Sequence, residues 1–119
     1  MAVYTVNLPP QSKAVAGPYT VLSTESGTVF DNRGGATITT GFTLPLAVVG
    51  MTYTFSSVYA ASVPTTFIQV TPNAADTIYQ GNRSAGAAIT STSSGAASIT
   101  LVCTSANTWA VTSLVGTWT

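Results

Sequence analysis

The fold is decided by Gly41–Phe55, which reads GFTLPLAVVGMTYTF. Pro45 ends a first strand, because proline cannot donate a hydrogen bond to a neighbouring strand. In the second strand, Met51–Phe55, large apolar residues alternate with threonine, which predicts one buried face and one open face. The apolar residues 46–49 form a corner between the two strands, and Gly50 provides a flexible joint. The stretch therefore indicates β-structure, and it carries no catalytic group.

The composition favours the same fold class along the whole chain. Serine and threonine make up about 30% of the 119 residues, whereas the charged residues that favour helices are scarce. Turn-forming residues recur about every 8–12 positions, and no segment keeps a helical period over the length of a helix. We therefore predict an all-β domain, a small antiparallel sandwich or barrel that is jelly-roll-like. The lack of a strict internal repeat counts against a β-solenoid.

The chain divides into an arm and one domain. Residues 1–18 are predicted to form an extended N-terminal arm, and residues 19–119 a β-sandwich or barrel domain. In the arm, Tyr4, Val6 and Leu8 alternate with polar residues before two consecutive prolines. A disordered N-terminus is the alternative. We favour an arm that lies on a neighbouring subunit, because its apolar side chains need cover.

The scarcity of charge points to an assembly. Only 5% of the residues are charged, and the formal net charge is zero. A free monomer with such a surface tends to associate, because charge is what keeps small domains apart in solution. We therefore predict that much of the surface is buried against other subunits, in preference to a serine- and threonine-coated surface that stays soluble without charge.

The chain is poor in catalytic chemistry. It has no histidine, the usual general base and the commonest metal ligand. The three carboxylates, Glu25, Asp31 and Asp76, are scattered and do not have the spacing of a metal-binding loop. Three basic residues are too few to follow a nucleic-acid backbone, and no apolar window is long enough to cross a membrane. We predict no enzyme, catalytic residue, metal site or cofactor, and no nucleic-acid or membrane partner.

Several residue groups allow both a structural and a functional interpretation. Cys103, the single cysteine, alternates with apolar residues and is predicted to be a core residue rather than a reactive thiol. In the segment 31–35, Asp31 and Arg33 would make a binding pair, but a solvated loop that caps its own turn is preferred. The aromatic residues of the strands would suit a sugar-binding face, but core positions are preferred. These residues are Tyr53, Phe55, Phe67 and Trp109.

Interface contacts are predicted at three places. The arm is the first. The corner is the second, because loops are normally polar and this one is apolar, so its side chains either fold back over one end of the sandwich or meet a partner subunit, the alternative we favour. The third is Trp118, which either plugs the base of the domain or docks on a neighbour. The interface candidates are Tyr4, Val6, Leu8, Leu46, Val48, Val49 and Trp118.

Seven segments resemble a pattern found in small β-domains of tailed-bacteriophage virion proteins. They are Gly41–Pro45, Gly50–Phe55, Val70–Pro72, Asp76–Ile78, Ser98–Val102, Asn107–Val111 and Gly116–Trp118. The resemblance covers residues 27–119 and leaves the arm outside it. Such domains occur in capsid decoration (cement) proteins and in head or tail fibres, typically as trimers. No catalytic residues are implied.

The resemblance implies a structural virion protein. A single small domain favours a capsid decoration protein that trimerises on the phage head, with the major capsid protein and its own copies as partners. We then expect it at the capsid surface of the virion, after synthesis in the host cytoplasm. The alternative is a head or tail fibre or spike domain that binds a host receptor. A surface carbohydrate-binding module is a third possibility, and the missing signal sequence and disulfides count against it.

Overall fold

The computed structural model of the protein describes residues 12–15, 18–32, 40–57, 67–92 and 97–119. These parts contain ten β-strands and one short 3₁₀ helix, so the all-β prediction is confirmed. The strands are β1 (Ser12–Ala14), β2 (Tyr19–Thr20), β3 (Val29–Asp31), β4 (Thr40–Thr43), β5 (Thr52–Ser57), β6 (Ile68–Thr71), β7 (Thr77–Tyr79), β8 (Ile89–Thr90), β9 (Ala97–Ser105) and β10 (Thr108–Val115). The 3₁₀ helix is Ser23–Glu25.

The strands form two sheets, and the chain crosses between them at every step from β1 to β9. Sheet A has the order β1-β3-β5-β9-β10-β7, and sheet B the order β2-β4-β6-β8. Strands β1, β3 and β5 therefore pair in parallel, as do β2, β4 and β6, and β7 pairs in parallel with β10. The antiparallel pairs are β5 with β9, β9 with β10, and β6 with β8.

The prediction of an antiparallel sandwich is thus wrong in its strand direction, although the sandwich itself is confirmed. The first six strands alternate between the two sheets, as the strands of a short β-solenoid do. The absence of a repeat in the sequence had counted against a β-solenoid. The physical reason is that backbone pairing requires no sequence repeat. It requires only that each strand bury one face, and the period-2 pattern supplies this.

The core lies between the two sheets and is built on aromatic side chains. Phe30 and Phe55 from sheet A stack with ring centroids 5.5 Å apart, and Phe42 from sheet B lies 4.9 Å from Phe55. Tyr53 and Trp109 are also buried, as predicted, whereas Phe67 is partly buried. The buried apolar residues of the described chain are Val15, Val21, Phe30, Phe42, Leu44, Ala47, Tyr53, Phe55, Ile68, Val70, Ile78, Ile89, Ala97, Ile99, Leu101, Cys103, Trp109 and Trp118. The prediction for Cys103 is therefore confirmed.

The hairpin β9–β10 lies where the sequence predicts one, since two β-rich runs, residues 98–104 and 108–114, are joined there by three residues ending in Asn107. Its turn contains Asn107 with a φ of 60°, the left-handed conformation that asparagine tolerates well. Trp109 lies opposite Cys103, and Val111 lies opposite Leu101, so both strands bury the same face. A register shift between Val111 and Ser113 bends the second half of β10.

The edge of sheet B at β8 is covered by the end of the chain, whereas the edge of sheet A beside β10 is only partly covered by the described strands. In sheet B, the edge strand β8 is covered, because Thr119 exchanges backbone hydrogen bonds of 2.7 and 2.8 Å with Thr90. In sheet A, β7 pairs only with Thr108–Ala110 of β10. On the side away from β9, residues 111–115 of β10 have no described strand beside them.

One end of the sandwich carries the connection between β4 and β5 and the turn between β9 and β10. Strands β4 and β6 end there, while β3, β5 and β10 begin there. Because β1 runs parallel to β3, β1 also begins at this end. We term it the corner end, after the connection between β4 and β5.

Candidate interaction surface

The apolar corner is exposed at the corner end of the sandwich. Leu46, Val48 and Val49 are 53, 55 and 63% exposed, whereas Ala47 between them is buried. These three exposed side chains are termed the corner surface. Exposed apolar side chains that lie together in sequence and space are typical of contact sites.

The corner is held to the domain at its beginning, middle and end. The Leu44 N–H donates to the last carbonyl of β6 over 2.8 Å. The Ala47 N–H donates to Oδ2 of Asp76 over 2.7 Å, and the Gly50 N–H donates to the carbonyl of Cys103 over 2.9 Å. With the backbone fixed at three points, the corner surface can meet a partner without a large loss of loop entropy.

Asp76 is the central support of this arrangement. It is fully buried, and while Oδ2 receives the Ala47 N–H, Oδ1 accepts a 2.9 Å hydrogen bond from the side chain of Asn107. One carboxylate thereby joins the corner to the β9–β10 turn. In the sequence Asp76 is only one of three scattered carboxylates, and nothing indicates this role, because its two partners lie 29 and 31 positions away.

A second polar cluster fastens β1 to the domain near the same end. Lys13 donates to the Tyr19 hydroxyl and forms a 3.2 Å ion pair with Glu25. The Tyr19 hydroxyl donates to Glu25, as does the Leu22 N–H over 2.9 Å. Burial raises the pKa of Glu25, but the hydrogen bonds from Leu22, Tyr19 and Lys13 outweigh it and hold this pKa below its ordinary value.

This cluster predicts a defined pH dependence. Because the folded-state pKa of Glu25 is lowered, its stabilisation is present above the ordinary value of 4.5 and is lost as the pH falls through the folded-state pKa. We expect Glu25→Gln to lower the free energy of unfolding by about 1 kcal/mol at neutral pH. Urea unfolding across this pH range should show the difference from wild type shrinking towards zero. A difference that is independent of pH would contradict the assignment.

The first two residues of the segment 31–35 are not solvated, although the segment is interpreted from the sequence as a solvated loop. Asp31 and Asn32 are both buried, and the Asn32 side-chain amide donates to the Ser57 hydroxyl over 3.3 Å. The interpretation is wrong for these two residues, because Asp31 still belongs to β3 and Asn32 follows it into the protein interior. Arg33 and the two glycines lie outside the described residues.

The other interface candidates fall into two groups. Trp118 is only 4% exposed, and its indole N–H donates to the Val115 carbonyl over 2.9 Å. Of the two alternatives for this residue, the structure has the one in which it packs into its own domain, so its ring offers almost no surface to a neighbour. Tyr4, Val6 and Leu8 lie outside the described residues.

Two further apolar positions were missed by the sequence analysis. Leu114 and Val115 are 42 and 50% exposed, and both lie on the half of β10 that has no second neighbour among the described strands. In the sequence they continue a β-rich run and read as ordinary strand residues. Both lie on the part of β10 that extends beyond its pairing with β7.

The described residues offer little for small-molecule chemistry. A pocket of about 210 Å³ is lined by Gly27, Thr28, Val29, Thr52, Tyr53 and Thr54, none of which is a carboxylate or a cation. Within the described ranges, no three cysteine or acidic side chains come together as metal ligands. Among the same residues, no helix has the length and apolar character needed to cross a membrane.

Comparison with known proteins gives no relative from which a role could be transferred. No protein-family model matches the sequence, and no curated protein matches it either. The features of this chain that bear on its function are therefore the corner surface, the strand edges and the sequence.

Proposed function

We propose that this chain is a structural virion protein, a capsid decoration protein that trimerises on the head of a tailed bacteriophage and stabilises the shell. Its partners are the major capsid protein and further copies of itself. The observation that carries the proposal is the corner surface, three exposed apolar side chains on a backbone held at three points.

The corner surface supports assembly through many weak contacts. Leu46, Val48 and Val49 are each about half exposed, so covering them contributes about 2–4 kcal/mol per copy. That is too little for a lasting contact by one copy alone. Repeated over a lattice, or within an oligomer that binds at several points, such contacts add up to a stable coat.

The choice of the phage head rests on the sequence resemblance across residues 27–119. The low charge supports it as well, because a coat protein that packs closely against like copies has little use for a charged surface. A decoration protein of this kind needs no catalytic group. Its contribution is apolar area buried between shell subunits.

The test is reconstitution on shells that lack the protein. Purified protein is added to phage capsids without it, and bound protein is measured after sedimentation together with the temperature at which the shells open. We expect saturable binding and a higher opening temperature. A protein that neither binds shells nor co-purifies with virions would overturn the proposal.

Leu46→Asp tests the corner surface directly. Because Leu46 is exposed, the domain should still fold, but a charge would have to be desolvated in the apolar contact. We expect a folded product that is monomeric by sedimentation at micromolar concentration. Asn82→Asp, which adds the same charge to another exposed loop, is the control and should leave the oligomer unchanged. An intact trimer with Leu46→Asp would refute the contact.

A fibre or spike domain that binds a host receptor is the second candidate function. It is favoured by Tyr79, an aromatic side chain that is 66% exposed beside the polar loop 80–86. Exposed aromatic rings next to polar groups are suited to binding sugars and proteins. Binding of the isolated protein to a glycan array, lost in Tyr79→Ala, would favour this function over decoration.

A further inference from the structure

Part of β10 has an edge with no partner strand among the described residues. In residues 111–115, β10 pairs with β9 on one side, and among the described strands none lies on the other side. An unpaired strand edge presents backbone N–H and C=O groups that can bind a further extended chain, although here the Val115 carbonyl already accepts the Trp118 indole N–H. Leu114 and Val115 add exposed apolar side chains at the same place.

The N-terminal segment has the properties of the missing strand. Tyr4–Leu8 is a run of alternating apolar residues without proline, so every residue keeps its backbone donor. Its length equals that of the free part of β10, residues 111–115. Pro9 and Pro10 follow directly and end the run.

The segment cannot reach this edge within its own chain. Ser12 begins β1, at the opposite edge of sheet A from β10. The position beside the free edge of β10 lies five strand spacings away, about 24 Å. The four residues from Leu8 to Ser12 span at most about 14 Å when fully extended. A strand formed by Tyr4–Leu8 on this edge must therefore come from another copy.

We propose that Tyr4–Leu8 of one copy pairs as an added strand with residues 111–115 of β10 in a second copy. Each copy gives one strand and accepts one, so the contact is head-to-tail and closes into a ring if the rotation between copies allows it. This inference rests on the self-assembly in the proposed function and adds a second contact between copies to the one made by the corner surface.

Cysteine cross-linking tests the pairing in the full-length protein. One chain carries Val6→Cys or Asn7→Cys, which cover both faces of the added strand, and a second chain carries Ser113→Cys. After mixing and mild oxidation we expect a mixed disulfide between the two chains. The control acceptor is Thr20→Cys, on β2, the exposed edge strand of sheet B. We expect at least about tenfold more mixed disulfide with Ser113→Cys, because pairing raises the local concentration of the two thiols.

Three outcomes of cross-linking would overturn the inference. They are no mixed disulfide with Ser113→Cys, an equal yield with Thr20→Cys, or a double variant Val6→Cys/Ser113→Cys that forms its disulfide within a monomer. Cys103 is buried and stays in every variant, so it does not compete.

A proline substitution gives an independent measurement. Val6→Pro removes a backbone donor from the middle of the added strand, whereas Ala2→Pro lies before it and serves as the control. We expect Val6→Pro to weaken self-association at least about tenfold and Ala2→Pro to leave it unchanged. Equal self-association of both variants would overturn the inference. The proposed function fails separately, if the wild-type trimer does not bind shells.

Discussion

Asp76→Ala is expected to lower the free energy of unfolding by about 3–5 kcal/mol, a large part of the stability of a domain of this size. The buried carboxylate accepts hydrogen bonds from the Ala47 N–H and from the Asn107 side chain. The substitution removes both acceptors, leaving the Ala47 N–H without a partner in the interior and depriving the side chain of Asn107, an exposed residue, of its acceptor. Hydrogen bonds to a charged group contribute about 1.5–3 kcal/mol each, so the two losses together give this range.

Urea unfolding of a graded series of variants measures the effect. Asn107→Ala removes one of the two hydrogen bonds and should cost about half as much as Asp76→Ala. Asp76→Asn keeps one acceptor oxygen and should lie between wild type and Asp76→Ala. A loss below about 1 kcal/mol for Asp76→Ala would show that the carboxylate does not support the corner.

Phe55→Ala is expected to cost a similar amount, about 3–5 kcal/mol, for a different reason. The ring is fully buried between Phe30 of sheet A and Phe42 of sheet B, at centroid distances of 5.5 and 4.9 Å. Its removal leaves a cavity where the two sheets meet, and the strands on both sides are hydrogen-bonded and cannot close it.

Thermal and urea unfolding provide the measurement, with Ser56→Ala as the matched control. Ser56 is the next residue of β5 and points to the opposite face, so its truncation should change stability by less than about 0.5 kcal/mol. Equal losses for the two variants would mean that β5 does not bury the face that contains Phe55.

Some elements could be predicted from local sequence because local physics determines them. The alternation of β5 identified its buried face, and the β9–β10 hairpin followed from two β-rich runs joined at Asn107. In both cases the deciding residues lie within a few positions of each other. The corner could be singled out for the same reason, because an apolar segment between two strands stands out in the sequence.

Other elements depend on partners that the sequence does not identify. Strand direction in β1–β6 is set by which sheet each strand joins, and alternation reads the same in parallel and antiparallel pairs. In the sequence Asp31 is assigned to a solvated loop and Asp76 is only a scattered carboxylate, but tertiary structure buries both. The free edge of β10 could not be predicted either, because it depends on which part of β10 pairs with β7.

The crossing of the chain between sheets also bears on how the protein is made. In sheet A, β9 lies between β5 and β10 and joins the strands β1, β3 and β5 to β10 and β7. On the ribosome, β9 and β10 emerge after β1–β8, so until then sheet A consists only of β1, β3 and β5, and β7 has no partner in it. The edge of β5 that pairs with β9 therefore has no partner strand during synthesis, when an open strand edge is most prone to aggregation. We expect completion of the domain to be a late event set by the hairpin β9–β10, the one pairing between consecutive strands of the described chain.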